Sequence, residues 1–501
     1  MNTRFVSVDR NQPLLLPPDL RDWVPEDDLV HFVIQAVESL PSERFSVNQR
    51  GTGSAQYPPS MMLALIIYCY ANGIFSSRRI ERATHRDISV RYLTGDTHPD
   101  HDTIAKFRRE NFELVAACFV RVLELAHEMR LLKVGMVSVD GTKLKASASK
   151  NRNVRYDRAG ELLEQLELEV KELLERAERS DQQEEQDGQS LPEELSRRQS
   201  LTEKLAAARK RLEARAKERA EAEREEYEQK VKAREARQGS AKGCEIKEPV
   251  DIPAPDAQEN LTDPDSRLMR KNKHSGYEQA YSAQAAVDAD GSQLILSARV
   301  SQCASDRNEL VDTVQGIPQD LGRPTTVLAD NGYLNEEQVR LLEGEEAIPA
   351  MEVLVSAHSE AKTLRRKHDF RPLPSESKEA PQIRSAFILE MKAKMEQEEA
   401  RRKYRLRKQT VEPVFGTIKK WMGFTQFQLR GLEKVSGEWQ LIALAYNCKR
   451  LWNMAKAQKK SEQTNERRGK SLKIAIHTLL RFLRGEKIAA CHGEWRTPSV
   501  A

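Results

Sequence analysis

The chain has 501 residues, of which 39% are hydrophobic and 32% are charged, and its mean hydropathy is −0.67. A single hydrophobic core rarely serves more than about 300 residues, so this length predicts more than one domain. The longest apolar run, Met61–Tyr70, is about half of the ~20 residues that a membrane-spanning helix needs, which excludes a membrane protein. The first residues lack a secretory signal pattern, so we expect a cytoplasmic protein.

The charge is unevenly distributed along the chain. The formal net charge is only +4, but residues 401–470 carry 18 Lys and Arg against 5 Asp and Glu. Residues 157–236 show the reverse balance, with 17 basic against 23 acidic side chains. Basic charge concentrated in one segment suggests a polyanionic partner such as nucleic acid. The six cysteines stand singly, without a CxxC pair, which indicates neither a disulfide scaffold nor a zinc site.

Residues 1–130 are predicted to form a helical N-terminal domain. The run that starts at Pro58 and ends at Tyr70 is apolar nearly all round, which is typical of a buried helix. Shorter helices are predicted after it, at Ser77–Thr84, Asp87–Leu93 and His101–Glu110. We expect Asp102 to cap the last of these.

The end of that last helix is basic. It carries Lys106, Arg108 and Arg109, which is compatible with a helix-turn-helix-like contact with DNA. A plain helical bundle with a solvated basic face explains the same pattern at least as well. The sequence leaves both interpretations open.

Residues 157–236 predict a charged helical hairpin inserted into the chain. Leu163, Leu166, Val170 and Leu173 repeat at coiled-coil spacing, and Leu201, Leu205, Ala208 and Leu212 do so again after a break at Ser180–Pro192. The hairpin would also offer a surface for pairing with another subunit. A solvated single helix or a partly disordered linker is the alternative.

Strand patterns on both sides of this insertion predict a mixed α/β sheet over residues 134–455. The expected strands are Met136–Asp140, Lys143–Ala146, Tyr277–Val287, Leu294–Val300 and Thr325–Ala329, and the expected helices are Asp306–Val314 and Asn335–Leu342. A turn is predicted at Asp288–Gly291. Residues 356–400 are expected to be a polar helical insertion, and residues 456–501 a basic C-terminal tail.

Three acidic residues stand out by their context. Asp140 and Asp330 each follow a short apolar strand, so neighbouring parallel strands would bring both carboxylates to the same edge of the sheet, where α/β folds build sites. Glu412 is the third, because it lies among many cations on a predicted helix and shares one face with Lys408 and Lys419. Each residue also has a structural explanation: a strand-end Asp before Gly is commonly a turn residue, and Glu412 could pair with Lys408.

Carboxylates are the ligands that Mg²⁺ or Mn²⁺ takes in proteins. Two such ions about 4 Å apart can activate a water or a sugar hydroxyl and stabilise the departing oxygen of a phosphodiester. Surrounding Lys and Arg would bind the DNA backbone. Four aromatic residues in or near the basic segment, Trp421, Phe424, Phe427 and Trp439, could stack on unpaired bases or belong to the core.

Four short runs resemble the bacterial insertion-sequence DDE transposases, from the RNase H-like superfamily and its branch with an InsH-like N-terminal domain. They are Asp100-His101-Asp102-Thr103-Ile104-Ala105-Lys106-Phe107-Arg108, Val139-Asp140-Gly141-Thr142, Ala329-Asp330-Asn331-Gly332-Tyr333 and Val411-Glu412-Pro413-Val414-Phe415-Gly416. The resemblance implies an RNase H-like fold, a metal-binding triad of Asp140, Asp330 and Glu412, and two Mg²⁺ or Mn²⁺ ions.

The resemblance also implies DNA-contacting residues around Glu412. Tyr404 and Lys419 match a tyrosine-arginine-glutamate-lysine signature of related transposases, and Arg405, Arg407, Lys408 and Lys420 are the other basic candidates. The signature's arginine is ambiguous: Lys408 stands four residues before Glu412, whereas Arg407 keeps the expected distance from Tyr404.

The predicted function is a DNA transposase that cuts at the ends of its element and joins them to target DNA. The expected partners are double-stranded DNA, meaning terminal inverted repeats and target, and a second copy of the chain, because two element ends must be handled together. Two alternatives remain: a metal nuclease of the same fold without strand transfer, and a non-enzymatic dimeric DNA-binding protein whose acids are vestigial.

Overall fold

The computed structural model describes residues 19–45, 56–183, 191–236, 248–270, 274–344, 351–357 and 385–483. Most of the predicted polar insertion 356–400 and the end of the predicted basic tail 456–501 lie outside these residues. Among the described residues, none of the helices combines the length and the apolar character that crossing a membrane requires.

The described part of the N-terminal region contains six α-helices: α1 (Leu29–Glu38), α2 (Pro59–Ala71), α3 (Ser77–Arg86), α4 (Ile88–Leu93), α5 (His101–Glu110) and α6 (Phe112–Glu128). Helix α2 is buried from Met62 to Ala71, which confirms the prediction of a buried helix. The cap of α5 was predicted wrongly. Asp100, not Asp102, accepts the Thr103 N–H at 2.8 Å, and Asp102 lies in the first turn, where its charge favours the helix dipole.

Among the described residues there are eight strands: β1 (Met136–Lys145), β2 (Asn153–Arg155), β3 (Gln258–Asn260), β4 (Arg267–Met269), β5 (Glu278–Asp288), β6 (Ile295–Ser301), β7 (Thr326–Ala329) and β8 (Glu352–Val355). Strand β5 pairs antiparallel with β1 on one side and with β4 and β6 on the other. Beyond β1, strands β7 and β8 follow in parallel. Four antiparallel strands (β4, β6, β5 and β1) continued by two parallel ones form an RNase H-like mixed sheet, which confirms the predicted fold class. Strands β2 and β3 pair separately.

Some of the predicted strand and helix boundaries were wrong. The two predicted runs between residues 136 and 146 are one strand, β1, and Asp140-Gly141 is no turn. Gly141 pairs with Gln284, and a Cβ at Gly141 would stand 2.5 Å from the Gln284 amide nitrogen, so only glycine lets the strand continue here. The helix expected from Asp306 begins only at Leu310, as α9 (Leu310–Gln315).

Helices α7 (Tyr156–Gln183) and α8 (Leu191–Ala236) form the predicted charged hairpin. They run antiparallel, because Tyr156 at the start of α7 bonds to Glu213, whereas Glu169 further along α7 bonds to Arg198, nearer the start of α8. The predicted leucine seam supplies buried side chains from both helices, among them Leu166, Leu173, Leu205 and Ala208. The inserted helical hairpin is therefore confirmed.

The C-terminal part contains α10 (Glu336–Glu343), α11 (Ala386–Glu396), α12 (Glu398–Gly416) and α13 (Leu432–Leu483). Helix α12 continues through Pro413, which lacks the N–H that would bond to the Gln409 carbonyl four residues earlier. The Gln293 side-chain amide donates to that carbonyl at 2.8 Å. This contact replaces the missing hydrogen bond, so the helix carrying Glu412 remains continuous.

One hydrophobic core joins the N-terminal helices to the sheet, and α13 packs against α2 and α6. A polar chain crosses this contact. The buried Arg108 guanidinium donates to the Tyr70 hydroxyl at 2.8 Å, and that hydroxyl lies 3.5 Å from the carboxylate of the fully buried Glu438 on α13. Glu438 also accepts the backbone N–H groups of Gln428 and Leu429, so it fixes the loop before α13.

Candidate active site

The register of β1 and β7 places Asp140 and Asp330 at equivalent positions. The last parallel pair between the two strands joins Ser138 to Leu328, and each aspartate stands two residues further along its own strand direction. Beyond this point β1 continues against β5 and meets the Thr425–Phe427 segment at Lys145, while β7 ends at Ala329. The two carboxyl groups thus stand where the parallel strands separate.

Asp140 is a desolvated carboxyl group, with only 20% of its side chain exposed. One oxygen accepts the Gly141 N–H at 2.8 Å, and the other lies 3.6 Å from the Arg407 guanidinium. Burial, helped by the nearby Asp330 charge, raises the pKa of Asp140 to about 7, although Arg407 acts in the opposite direction. The local environment therefore disfavours the ionised form unless more positive charge arrives.

Asp330 caps the short 3₁₀ turn Asn331–Tyr333 that follows β7, because its side chain accepts the Gly332 N–H at 2.8 Å. Tyr333 is fully buried, and its hydroxyl donates to the side-chain oxygen of Gln284 on β5. This contact holds the turn against the centre of the sheet. Asp330 is therefore held by its hydrogen bond with the Gly332 N–H and by the anchored turn that follows it.

Asp306 is a further acidic residue at this site that the sequence interpretation missed. Its carboxylate accepts the Gln284 amide at 2.8 Å and lies near the Ser282 hydroxyl. Burial raises its pKa, and the Asp330 charge adds to the effect. We had assigned Asp306 to the start of a helix. Its position depends on a contact with β5 that no local sequence pattern signals.

Helix α12 brings Tyr404, Arg407 and Glu412 to the same region. Arg407 is buried with only 7% exposed, and its guanidinium stands 6.0 Å from the centre of the Tyr404 ring. Burial alone would lower the pKa of Arg407, but the charges of Tyr404, Asp140, Asp330 and Glu412 raise it overall. Lys408 and Glu412 lie on the exposed side of the helix. Arg407, rather than Lys408, is thus the basic residue that faces Asp140.

A turn of π-helix, Thr417–Trp421, extends α12, and such turns are frequent at functional sites. It turns the Lys419 amine toward β1, where the amine donates to the Thr142 hydroxyl and to the Lys143 carbonyl at 3.4 Å. Lys420 is exposed, as is Arg405 on α12. The Lys419 amine therefore contacts β1 at Thr142, two residues after Asp140.

Only one of the four aromatic candidates is available to a ligand. Trp421 is 88% exposed, next to Lys420, whereas Phe424, Phe427 and Trp439 are buried. These three side chains belong to the core, the second of the two roles that the sequence allowed.

The basic candidates of α5 lie on different sides of the helix. Lys106 and Arg109 of α5 are exposed, but Arg108 faces inward with Ile104 and bonds to Tyr70 and to the Phe75 carbonyl. Arg108 thus holds the fold together, and its guanidinium is not presented to DNA.

Helix α3 presents a basic stripe that the sequence interpretation missed. Its four exposed arginines make no ion pair with any described residue: Arg78, Arg79, Arg82 and Arg86. Three of them recur every four residues, a spacing that puts them on one helix face. That spacing is visible in the sequence and could have revealed the stripe.

The donor set fits a hard divalent cation in part. Asp140 and Asp330 supply carboxylate oxygens, which Mg²⁺ and Mn²⁺ prefer, and burial together with the Asp330 charge raises the pKa of Asp140, so a bound cation would favour its ionised form. Within the described ranges, however, no three His, Cys, Asp or Glu side chains lie close enough together to hold an ion. The exposed Glu412 would have to approach the two aspartates.

The raised pKa of Asp140 predicts how stability depends on pH without metal. The folded protein keeps the Asp140 proton up to about pH 7, while the unfolded chain releases it near 3.8, so ionisation makes folding less favourable as pH rises between these values. Asp140→Asn should therefore be more stable than the wild type at about pH 8, by up to about 4 kcal/mol, and about equally stable near pH 4. Thermal unfolding in EDTA at both pH values measures this. Equal stability differences at the two pH values would contradict the prediction.

Together, the RNase H-like sheet and the two aspartates at the point where its central parallel strands separate define a protein of the RNase H-like class. Residues 250–448 match the family model described as the transposase DDE domain, and residues 18–110 match the one described as a transposase domain, DUF772. The two ranges together cover more than half of the chain. The chain belongs to the insertion-sequence DDE transposases, a family of DNA transposases. No curated protein and no solved structure matches it significantly.

Proposed function

We propose that this transposase cuts DNA at the ends of its element and joins the freed 3′-hydroxyl to target DNA in a metal-dependent reaction. The single observation that carries the proposal is the register of β1 and β7, which leads to Asp140 on one strand and Asp330 just beyond the other. DDE transposases generally use divalent metals, and the chemistry of these two carboxylates suits Mg²⁺ or Mn²⁺.

In this proposal Asp140, Asp330 and Glu412 hold the ions, which when bound activate the attacking oxygen and stabilise the leaving one. Arg407 limits the repulsion between the carboxylates and keeps Asp140 oriented. Its buried guanidinium cannot move to solvent, so it acts within the site. Approach of Glu412 to the aspartates would accompany DNA binding, since the described residues alone do not form a three-ligand group.

The exposed cations around α12 supply the contacts with the DNA backbone. Lys419 stands beside Thr142, close to the proposed cut, and the exposed Lys420 follows it in the chain. Tyr404, Arg405 and Lys408 extend along α12. We assign residues 134–455 to the catalytic domain on this basis. Trp421, exposed at the end of the π-turn, offers a face on which an unpaired base can stack.

We assign binding of the element ends to the N-terminal region, residues 1–130. Its support is the arginine stripe of α3 together with Lys106 and Arg109 of α5, since α3 and α5 pack on each other. A homodimer is proposed because two element ends must be joined to one target. We expect the protein to act in the cytoplasm, associated with DNA.

The test uses purified full-length protein, duplexes that carry the element's own ends, a supercoiled target plasmid, and Mg²⁺ or Mn²⁺. We expect end cleavage followed by a plasmid product that carries the joined ends, and neither product in EDTA. Cleavage without joining would replace the proposal with a metal nuclease of the same fold. Salt-sensitive binding without any cleavage would replace it with a non-enzymatic DNA-binding protein.

A further inference from the structure

The inserted hairpin and the catalytic sheet enclose a basic groove that no part of the proposed function uses. This hairpin groove has a volume of about 800 Å³ and receives residues from α7, α8, the β3–β4 connection and the loop before α13. Five cations line it against one acid: Arg152, Arg197, Arg198, Lys204 and Arg430 against Glu169. The charge contrasts with the hairpin as a whole, which is acidic.

Three of these cations remain available to a ligand. Arg198 is engaged by Glu169 and Glu194, each at 2.9 Å, and Arg430 donates through Nε to the Ser147 carbonyl. Arg152, Arg197 and Lys204 are exposed and form no ion pair within the described part of the chain. Glu169, the acid in the groove lining, is thus already paired with Arg198. The lining side chains that have no ion pair among the described residues are all cations.

A second group of cations connects the groove to the proposed cutting site. Four lysines line a neighbouring cavity of about 360 Å³: Lys143, Lys145, Lys150 and Lys419. The only acid in its lining, Glu278, pairs with Lys145 at 2.6 Å. Strand β1 leads from Asp140 into this cavity, and Arg430 contacts the chain just beyond the strand, at Ser147.

The length of this basic path suits a DNA backbone. Seven residues separate Asp140 from Ser147, which at about 3.3 Å per residue is at most about 23 Å. Duplex DNA rises about 3.4 Å per base pair, so this stretch spans at most about seven base pairs. Two groups of cations within this distance match a row of phosphates better than they match an isolated acidic side chain.

We propose that the hairpin groove holds the phosphate backbone of duplex DNA within about seven base pairs of the scissile phosphate. The inserted hairpin would thereby act as a DNA clamp. The distance from the cut rests on the proposed function, because Asp140 marks the cut. Binding of the DNA backbone in the groove is independent of that function.

The test removes two cations of the groove and compares them with two cations of the same helix outside it. Arg197→Gln with Lys204→Gln is the groove variant, and Lys210→Gln with Lys217→Gln is its match: exposed, seven residues apart and absent from the groove lining. Both pairs are exposed, so thermal unfolding should be unchanged in both. Binding to a duplex of arbitrary sequence, about 30 base pairs long, is measured by fluorescence anisotropy in EDTA over a range of salt.

Two lost phosphate contacts should make the slope of log affinity against log salt less steep by about 1.8, because each contact contributes about 0.9. The affinity loss between about 50 and 200 mM salt should then be roughly tenfold smaller in the groove variant than in the wild type. The control variant should keep the wild-type slope. A groove variant with the wild-type slope, or two variants with equally reduced slopes, would overturn the proposal. The measurement involves no metal, so a wild type that binds normally but does not cleave would count against the proposed function alone.

Discussion

Replacing Asp140 by asparagine should lower the rate of metal-dependent end cleavage by at least about 100-fold, since even partners outside the ligand shell cost about 10- to 100-fold when mutated. The amide keeps the shape of the carboxyl group but removes the negative charge that a divalent ion needs. The hydrogen bond from the Gly141 N–H can be kept by the amide oxygen. Single-turnover cleavage in saturating Mn²⁺ measures the change, and DNA affinity in EDTA should stay within about threefold of the wild type.

Asp320→Asn is the matched control for this substitution. Asp320 is exposed on the short 3₁₀ turn Gln319–Leu321, away from α12 and from the ends of β1 and β7. We expect its cleavage rate to equal that of the wild type. A cleavage rate for Asp140→Asn within about tenfold of the wild type would show that Asp140 is not a metal ligand.

Replacing Trp439 by alanine should destabilise the protein by about 3–5 kcal/mol, the range for a large aromatic residue removed from a core. Trp439 is fully buried on α13, stacks on Phe415 of α12, and donates its indole N–H to the Gln284 carbonyl at 3.0 Å. Its loss leaves a cavity and removes the hydrogen bond from the indole to the central strand. Equilibrium unfolding in urea, followed by circular dichroism, measures the change.

Trp421→Ala provides the control within the same chain. Trp421 is 88% exposed, so its removal should change the free energy of unfolding by less than about 0.5 kcal/mol. Equal destabilisation by the two substitutions would contradict the assignment of Trp439 to the core and of Trp421 to a surface position.

The strand-end aspartates could be predicted because their signal is local. Apolar runs that end in Asp140 and Asp330 predict buried strands, and the register of two neighbouring parallel strands follows from the fold class. Strand β8 could not be predicted in the same way. Only four residues long, it forms because β7 provides an open edge, and such pairing has no sequence pattern of its own.

The position of Asp306 depends on residues distant in the chain. Its carboxylate contacts Gln284, which pairs with Gly141 across the sheet, so three separate segments must meet before Asp306 becomes part of the site. Arg108 illustrates a different limit. Its inward direction follows from helix phase, since it stands four residues after the buried Ile104, but the run of neighbouring basic residues hides this pattern. The composition of this run shows that it is basic. Only the packing shows that the Arg108 guanidinium is buried and bonded within the fold.

The core shared by the N-terminal helices and the sheet restricts how such a protein can change during evolution. Arg108 and Tyr70 belong to the N-terminal region, and Glu438, whose carboxylate lies 3.5 Å from the Tyr70 hydroxyl, belongs to α13, so buried polar groups meet across the boundary between the two parts. A hybrid whose residues 1–130 lack counterparts of Arg108 and Tyr70 would leave the Glu438 charge without these partners inside the molecule. Under the proposed role of this region in binding the element ends, new ends are acquired more readily by changing its exposed residues than by exchanging the whole region between relatives.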